Sequence, residues 1–150
     1  MPKLELSDIE VSNATGYPAE YAGVVAGRWY RRLGALSGLS DFAVSHVRLE
    51  PGAWSAQRHW HEEEDEFVVV LSGSAVLIED NGETVLREGD CAAFPKGRPV
   101  GHCLINRSTQ CCTFIVVGQS VNGPCHYPDI DMHDFGAGDK RRRDGSKFQD

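Results

Sequence analysis

Between Phe42 and Gly118, turn-forming residues interrupt the chain about every ten residues, and that rhythm limits the fold more than any other feature. Phe42–Leu49 reads as a strand closed by Pro51 and Gly52. Gln57–His61 is a second strand, and Glu66–Leu71 a third, ended by Ser72 and Gly73. Ser74–Glu79 follows, with a hairpin turn at Asp80, Asn81 and Gly82. Thr84–Arg87 pairs back across that turn and stops before Gly89, and Cys91–Phe94 ends at Pro95. Gly101–Asn106 and Thr113–Gly118 complete the series. Many short strands with Gly, Pro, Asn or Asp in the gaps predict an all-β sandwich or barrel.

The flanks differ. Residues 1–40 carry Gly16, Gly23, Gly27, Gly34 and Gly38, which oppose helix, so short strands and turns packing on the barrel are expected there. Residues 41–118 form the barrel core. Residues 119–150 form an extension, with an ordered surface excursion over Val121–Asp131 and a Gly-rich, charged stretch from Phe135 onward. The basic run Lys140–Arg143 reads as part of a solvated tail, with an anion or nucleic-acid contact as the alternative. At 150 residues the whole fits one domain.

Charge limits the partners. Twenty-two acids against 15 Lys and Arg give a formal charge of −7, which opposes nucleic-acid binding through a positive surface. The longest apolar runs, Phe67–Leu71 and Phe114–Val117, fall far short of the roughly 20 residues of a membrane helix. The N-terminal residues also lack a secretory pattern, so no membrane association and a cytoplasmic location are expected. Cys91, Cys103, Cys111, Cys112 and Cys125 are odd in number and form no CxxC pair, and they read as reduced, mostly buried thiols.

The chemistry concentrates between Gly52 and Glu66. On a strand, His59 and His61 point to one face and Trp60 to the other. Imidazoles about 6.5–7 Å apart along one face can converge on one ion. Glu66 opens the next strand after a short acidic turn, and its alternation with Val68 and Val70 turns it to the barrel lumen. His102 opens a later strand. Three imidazoles and one carboxylate suffice to hold a divalent transition metal and leave positions for water or substrate.

These residues resemble the cupin superfamily. Its first motif is commonly written G-x5-H-x-H-x3,4-E-x6-G, matched here by Gly52, His59, His61, Glu66 and Gly73. Its second, G-x5-P-x-G-x2-H-x3-N, is matched by Gly89, Pro95, Gly97, His102 and Asn106. Two intervals depart from the pattern: six residues separate Gly52 from His59, and four separate Gly97 from His102. Both fall in turns, where insertion costs little. The resemblance implies a double-stranded β-helix, the jelly-roll barrel of cupins. It also implies one divalent ion (Fe, Mn, Ni, Co, Cu or Zn) on His59, His61, Glu66 and His102, and pairing of two copies through the outer sheet.

The function implied is that of a metal-dependent enzyme acting on a small oxygen-rich metabolite: a carboxylate, hydroxy acid or sugar derivative. Its chemistry would be that of a lyase, isomerase or dioxygenase. The alternative is a non-catalytic protein that binds or senses such a molecule. No general base is identifiable in the sequence. His46 and Arg48 share one strand face, and they are pocket candidates if that face is the lumen and surface residues if it is not. Gln57, in phase with His59, is a further pocket candidate. Trp54, Trp60 and Phe94 read as packing residues, with the pocket as the alternative. Cys125, His126 and His133 read as surface residues, with a lid over the site as the alternative.

Overall fold

The computed structural model describes residues 2–119 and 121–149; Met1 and Asp150, at the outer ends of the spans 1–40 and 119–150, and Ser120, within the latter, lie outside the described residues. Strands are β1 (Arg28–Arg32), β2 (Phe42–Leu49), β3 (Trp60–His61), β4 (Glu66–Ser72), β5 (Ser74–Glu79) and β6 (Gly82–Arg87). They continue with β7 (Cys91–Phe94), β8 (Cys103–Ile105), β9 (Cys112–Gln119), β10 (Cys125–His126), β11 (His133–Asp134) and β12 (Lys140–Arg141). A five-stranded sheet runs β1-β2-β9-β4-β7, and it faces a three-stranded sheet β6-β5-β8. A four-stranded ribbon β12-β11-β10-β3 extends the barrel at the end where the histidines lie. This is the double-stranded β-helix of cupins.

Alternation explains which residues fill the barrel. Val47 and Leu49 of β2, Val68 and Val70 of β4 and Phe114 of β9 are buried against Ala75, Leu77, Leu86 and Leu104 of the opposing strands. Each fully buried Val or Leu contributes roughly 1.5–3 kcal/mol. Two motif residues hold the connections. Gly73 has φ 71°, and a Cβ there would lie 2.5 Å from the Cys111 carbonyl oxygen, so only glycine lets β4 turn into β5 beside that backbone. Asn106 is fully buried, and its Nδ2 donates to the carbonyls of Leu49 (3.0 Å) and Gln110 (2.7 Å). Its Oδ1 accepts from Ser108 N and Oγ at 3.0 and 2.7 Å, so no polar atom of this core amide is left unmatched.

The strands expected at Phe42–Leu49, Ser74–Glu79 and Cys91–Phe94 have those bounds. The one expected over Gln57–His61 is a ladder only at Trp60–His61. His59 pairs instead with His102, through His59 N to His102 O (3.1 Å) and His102 N to His59 O (2.8 Å). The segment changes partner from β8's leading residue to β10 between residues 59 and 60.

The N-terminal segment adds β1 to the sheet edge, and it also contains short helices at Ala19–Ala22 and Leu33–Leu36. The C-terminal segment is solvent-exposed over much of 135–149, but its basic run is tied down by contacts within the chain. Lys140 pairs with Asp134, Arg141 with Asp139, and Arg142 with Glu20 and Asp131. Arg143 donates to the carbonyls of Tyr127 and Pro128 at 2.7 and 3.0 Å. Each cation of the run has a partner within the chain. Beneath these contacts Cys125, Tyr127 and Met132 pack with Tyr17, Tyr21, Ile130 and Phe148, so the two ends of the chain meet over one end of the barrel. All five cysteines are free thiols. No helix among the described residues is long and apolar enough to cross a membrane.

Candidate metal centre

Four side chains meet inside this end of the barrel. The His59–His102 bridge fixes two imidazoles on one face, with ring centroids 4.7 Å apart. Pairing of β3 with β10 sets His61 beside them, 4.9 Å from His59. Glu66 leads β4 between Phe94 and Gly118 and projects to the same face as Val68 and Val70. Its carboxylate is the hub: Oε1 lies 2.6 Å from His61 Nε2 and 3.7 Å from His59 Nε2, and Oε2 lies 3.2 Å from His102 Nε2. The four residues named from the motifs are therefore brought together.

The electrostatics follow from burial and proximity. Burial works to raise the Glu66 pKa, but the contacts with His102 and His61 and the nearby His59 ring outweigh it and hold the carboxyl well below its usual range. Burial pulls the His61 pKa down, yet hydrogen bonds with Cys125 and Glu66 carry it up to about 11. For His102 burial prevails and its pKa is lowered. His59 Nδ1 lies 2.8 Å from the Gln57 carbonyl, which can only accept. The proton therefore sits on Nδ1, and the Nε2 lone pair faces the cluster. His61 Nδ1 lies 3.4 Å from Glu64, a carboxyl whose pKa burial raises. Three Nε2 atoms converging on one buried carboxylate is a donor set that suits a divalent transition ion.

The other expected pocket residues lie elsewhere. His46 and Arg48 are on the outer face of β2, because Ala43, Ser45 and Val47 take the cavity side. Arg48 stacks over Trp29 at 5.8 Å. Gln57 is buried, but its Nε2 donates to the Tyr21 carbonyl (2.9 Å) and its backbone N–H to Tyr17 Oη (3.1 Å). It serves the site through its carbonyl rather than by lining the cavity. Phe94 does line it, stacked on His102 at 3.7 Å, so of its two readings the pocket one applies.

Of the residues read as surface or lid, Cys125 comes to the site, and Tyr127, which the sequence did not single out, joins it. Cys125 is buried, and its sulfur lies within 4.8 Å of ring nitrogens of His59 and His61. The Tyr127 ring is 5.9 Å from His59. Alternation puts Cys125 and Tyr127 on one face, and that was the available signal. His126 takes the other face, stacked on Trp60 at 4.0 Å and 2.6 Å from Glu62. The site opens into a cavity of about 750 Å³, within the usual ligand-pocket range.

Alternation along β8 yields a test of register. Cys103 is buried, alternation turns its side chain from that of His102, and burial pushes its thiol up to about 11. His102→Ala should reduce metal content. Cys103→Ser should leave metal content intact and cost about 1–3 kcal/mol for an unpaired buried hydroxyl. Metal analysis with thermal melting of both variants checks this, and the reverse pattern contradicts the register.

The family described as "Cupin domain" matches residues 45–118. A structure named as a sugar phosphate isomerase of the cupin superfamily, from Silicibacter pomeroyi DSS-3, is 44% identical with a TM-score of 0.91. That match covers 99% of this chain and 97% of the other. A candidate sugar phosphate isomerase from Acidithiobacillus ferrooxidans is 27% identical over 83% of this chain and 82% of its own, with a TM-score of 0.72. A polyketide cyclase from Streptomyces resistomycificus shares the fold at 20% identity and a TM-score of 0.71, with 87% of each chain covered. A search of curated protein sequences finds no match.

Proposed function

The chain belongs to the cupin superfamily, and from that premise we propose that it is a metal-dependent isomerase of a small sugar phosphate. The observation that carries the reading is the buried cluster of Glu66 and three imidazoles at the end of a cavity of about 750 Å³. The name of the 44% identical relative supports the substrate class. His59, His61, Glu66 and His102 would hold a divalent ion, which polarises a substrate carbonyl or hydroxyl oxygen as a Lewis acid when bound. Glu66 balances part of the ion's charge, and the Gln57 carbonyl keeps His59 in the ligating tautomer. Phe94, stacked on His102, and Val68 form an apolar wall that limits water at the site.

A second reading, a sugar or organic-acid binder without turnover, is favoured by one feature. Tyr17 and Tyr127 line the cavity, and burial raises their pKa, Tyr17 to about 12. They are hydrogen-bond donors there rather than bases, so proton transfer would fall to the cluster itself. The deciding experiment loads the purified protein with each candidate metal and follows aldose and ketose phosphates by NMR. Interconversion of isomers supports the isomerase. Saturable binding without interconversion by any metal form supports the binder.

Dimerisation belongs to the same proposal. The outer face of the five-stranded sheet carries Phe42, Phe67 and Leu71, exposed by 42%, 41% and 43%, with Val117 beside Phe67 in the register. Apolar residues across three strands suit a self-complementary interface. Light scattering should give twice the 16.5 kDa chain mass, and Phe67→Glu should halve it; a wild-type monomer at micromolar concentration contradicts the dimer.

A further inference from the structure

Strand β1 puts cations inside the barrel. Arg28, Tyr30 and Arg32 alternate with Trp29 and Arg31, and all three line the cavity. Their register partners are Leu49, Val47 and Ser45, on the inward face of β2. Both guanidinium groups lie over the Tyr30 ring, at 5.6 Å for Arg28 and 5.4 Å for Arg32.

Arg28 has an environment unlike that of the chain's other enclosed arginine. Arg58 pairs with Asp80 and Asp129. Arg28 has no carboxylate within ion-pair distance among the described residues. Its Nη1 donates to the Ser55 carbonyl at 2.7 Å, and its Nε is buried without a partner. The titratable groups that face it are Tyr17, Tyr30, Tyr127 and Arg32, which supply no negative charge at neutral pH. A desolvated guanidinium without a counter-charge costs free energy in the ligand-free fold. An anionic ligand in the cavity would remove that cost. The position suits one: Tyr17 and Tyr127 form an edge-on pair 5.9 Å apart, and Tyr127 reaches His59, so Arg28 lies across two phenols from the cluster.

We propose that Arg28, assisted by Arg32 nearer the cavity mouth, docks the phosphate group of the substrate and leaves its carbonyl or hydroxyl end to His59, His61, Glu66 and His102. The proposal rests on the sugar phosphate reading for the ligand class, but its two arginines are testable apart from the metal. A fork of N–H donors suits a phosphate, and two guanidiniums with phenol donors suit a dianion with three free oxygens.

The test uses inorganic phosphate and acetate as probes, titrated by calorimetry into metal-loaded and chelator-treated protein, with metal content measured throughout. Wild type should bind phosphate more tightly than acetate in both forms. Arg28→Met should weaken phosphate binding by about tenfold or more with metal content unchanged. Arg28→Lys, which keeps the charge and loses the fork, should fall between. Arg32→Gln should lose less than Arg28→Met. Ligand-free Arg28→Met should melt no lower than wild type, because an unpaired buried cation is removed, and phosphate should raise the melting temperature of wild type alone. A merely structural Arg28 would instead lower the melting temperature and leave phosphate affinity intact. If Arg28→Met does not fold, Arg28→Lys and Arg32→Gln carry the comparison. Wild-type phosphate affinity in those variants overturns the proposal, as does acetate binding as tightly as phosphate. Loss of metal binding with phosphate binding retained counts against the isomerase and not against the arginines.

Discussion

Replacing His59 and His61 together by alanine should empty the centre of metal and remove the metal's contribution to stability in one step. The double variant leaves only Glu66 and His102 of the four converging side chains. Two donors seldom hold a divalent ion against bulk water, and metal content should fall to background. Metal bound only by the folded state adds RT ln(1 + [L]/Kd), about 2.7 kcal/mol at a free concentration one hundred times Kd. For a domain of this size that shifts the melting temperature by roughly 5–10 °C. Wild type should therefore melt lower after chelation, whereas the variant should not respond to chelator or added metal. The variant's melting temperature should also lie below that of chelated wild type. It removes the imidazole 2.6 Å from a buried carboxylate, and breaking such a pair costs about 3–5 kcal/mol. Full metal stoichiometry in the double variant would overturn the assignment of both histidines.

Much of the barrel was legible because it rests on local signals. Val68 and Val70 alternate with Val69, and Gly73 marks a turn that the Cys111 backbone closes to any side chain. Glu66 could be chosen among five consecutive acids because it begins that alternation, and the fold places it at the hub. What stayed hidden depends on pairing between distant segments. The face of β2 that turns inward is set by β1 and β9, so His46 and Arg48 could not be placed from their own strand. Cys125 reaches His61 only because β10 pairs with β3, across more than sixty intervening residues. The basic run at Lys140–Arg143 has the composition of a tail; its partners Asp131 and Asp134 depend on how the C-terminal segment folds back on itself, and Glu20 only on the two chain ends meeting. Arg28 was passed over for a like reason. Its lack of a counter-charge is a property of the cavity and not of the strand that carries it.

Metal uptake should be strongly pH-dependent, in a direction fixed by His61. Without metal, its hydrogen bonds with Cys125 and Glu66 raise its pKa from 6.5 to about 11, so the folded protein holds a proton there through neutral pH. The Glu66 carboxyl is depressed below 4.5 by the same cluster and stays ionised. For the metal-free protein, a raised histidine pKa contributes stability that is complete below 6.5 and is lost as pH climbs toward about 11. The depressed carboxyl contributes stability that is present above 4.5 and is lost as pH falls through its lower folded value. These two groups together thus contribute most between those two ordinary values, while the lowered pKa of His102 works against stability in the lower part of that window. Metal needs the opposite condition at His61, a free lone pair on Nε2, so binding must expel that proton. With one proton released, affinity should rise about tenfold per pH unit across the neutral to mildly alkaline range. Calorimetry in buffers of different ionisation enthalpy should count close to one proton released per metal bound. The chelated and loaded proteins should also diverge in melting temperature as pH rises, the loaded form gaining where the chelated form loses. A metal affinity that does not change with pH across that range would mean that His61 carries no proton in the metal-free protein, and the His61–Glu66 contact would then be a neutral hydrogen bond and not an ion pair.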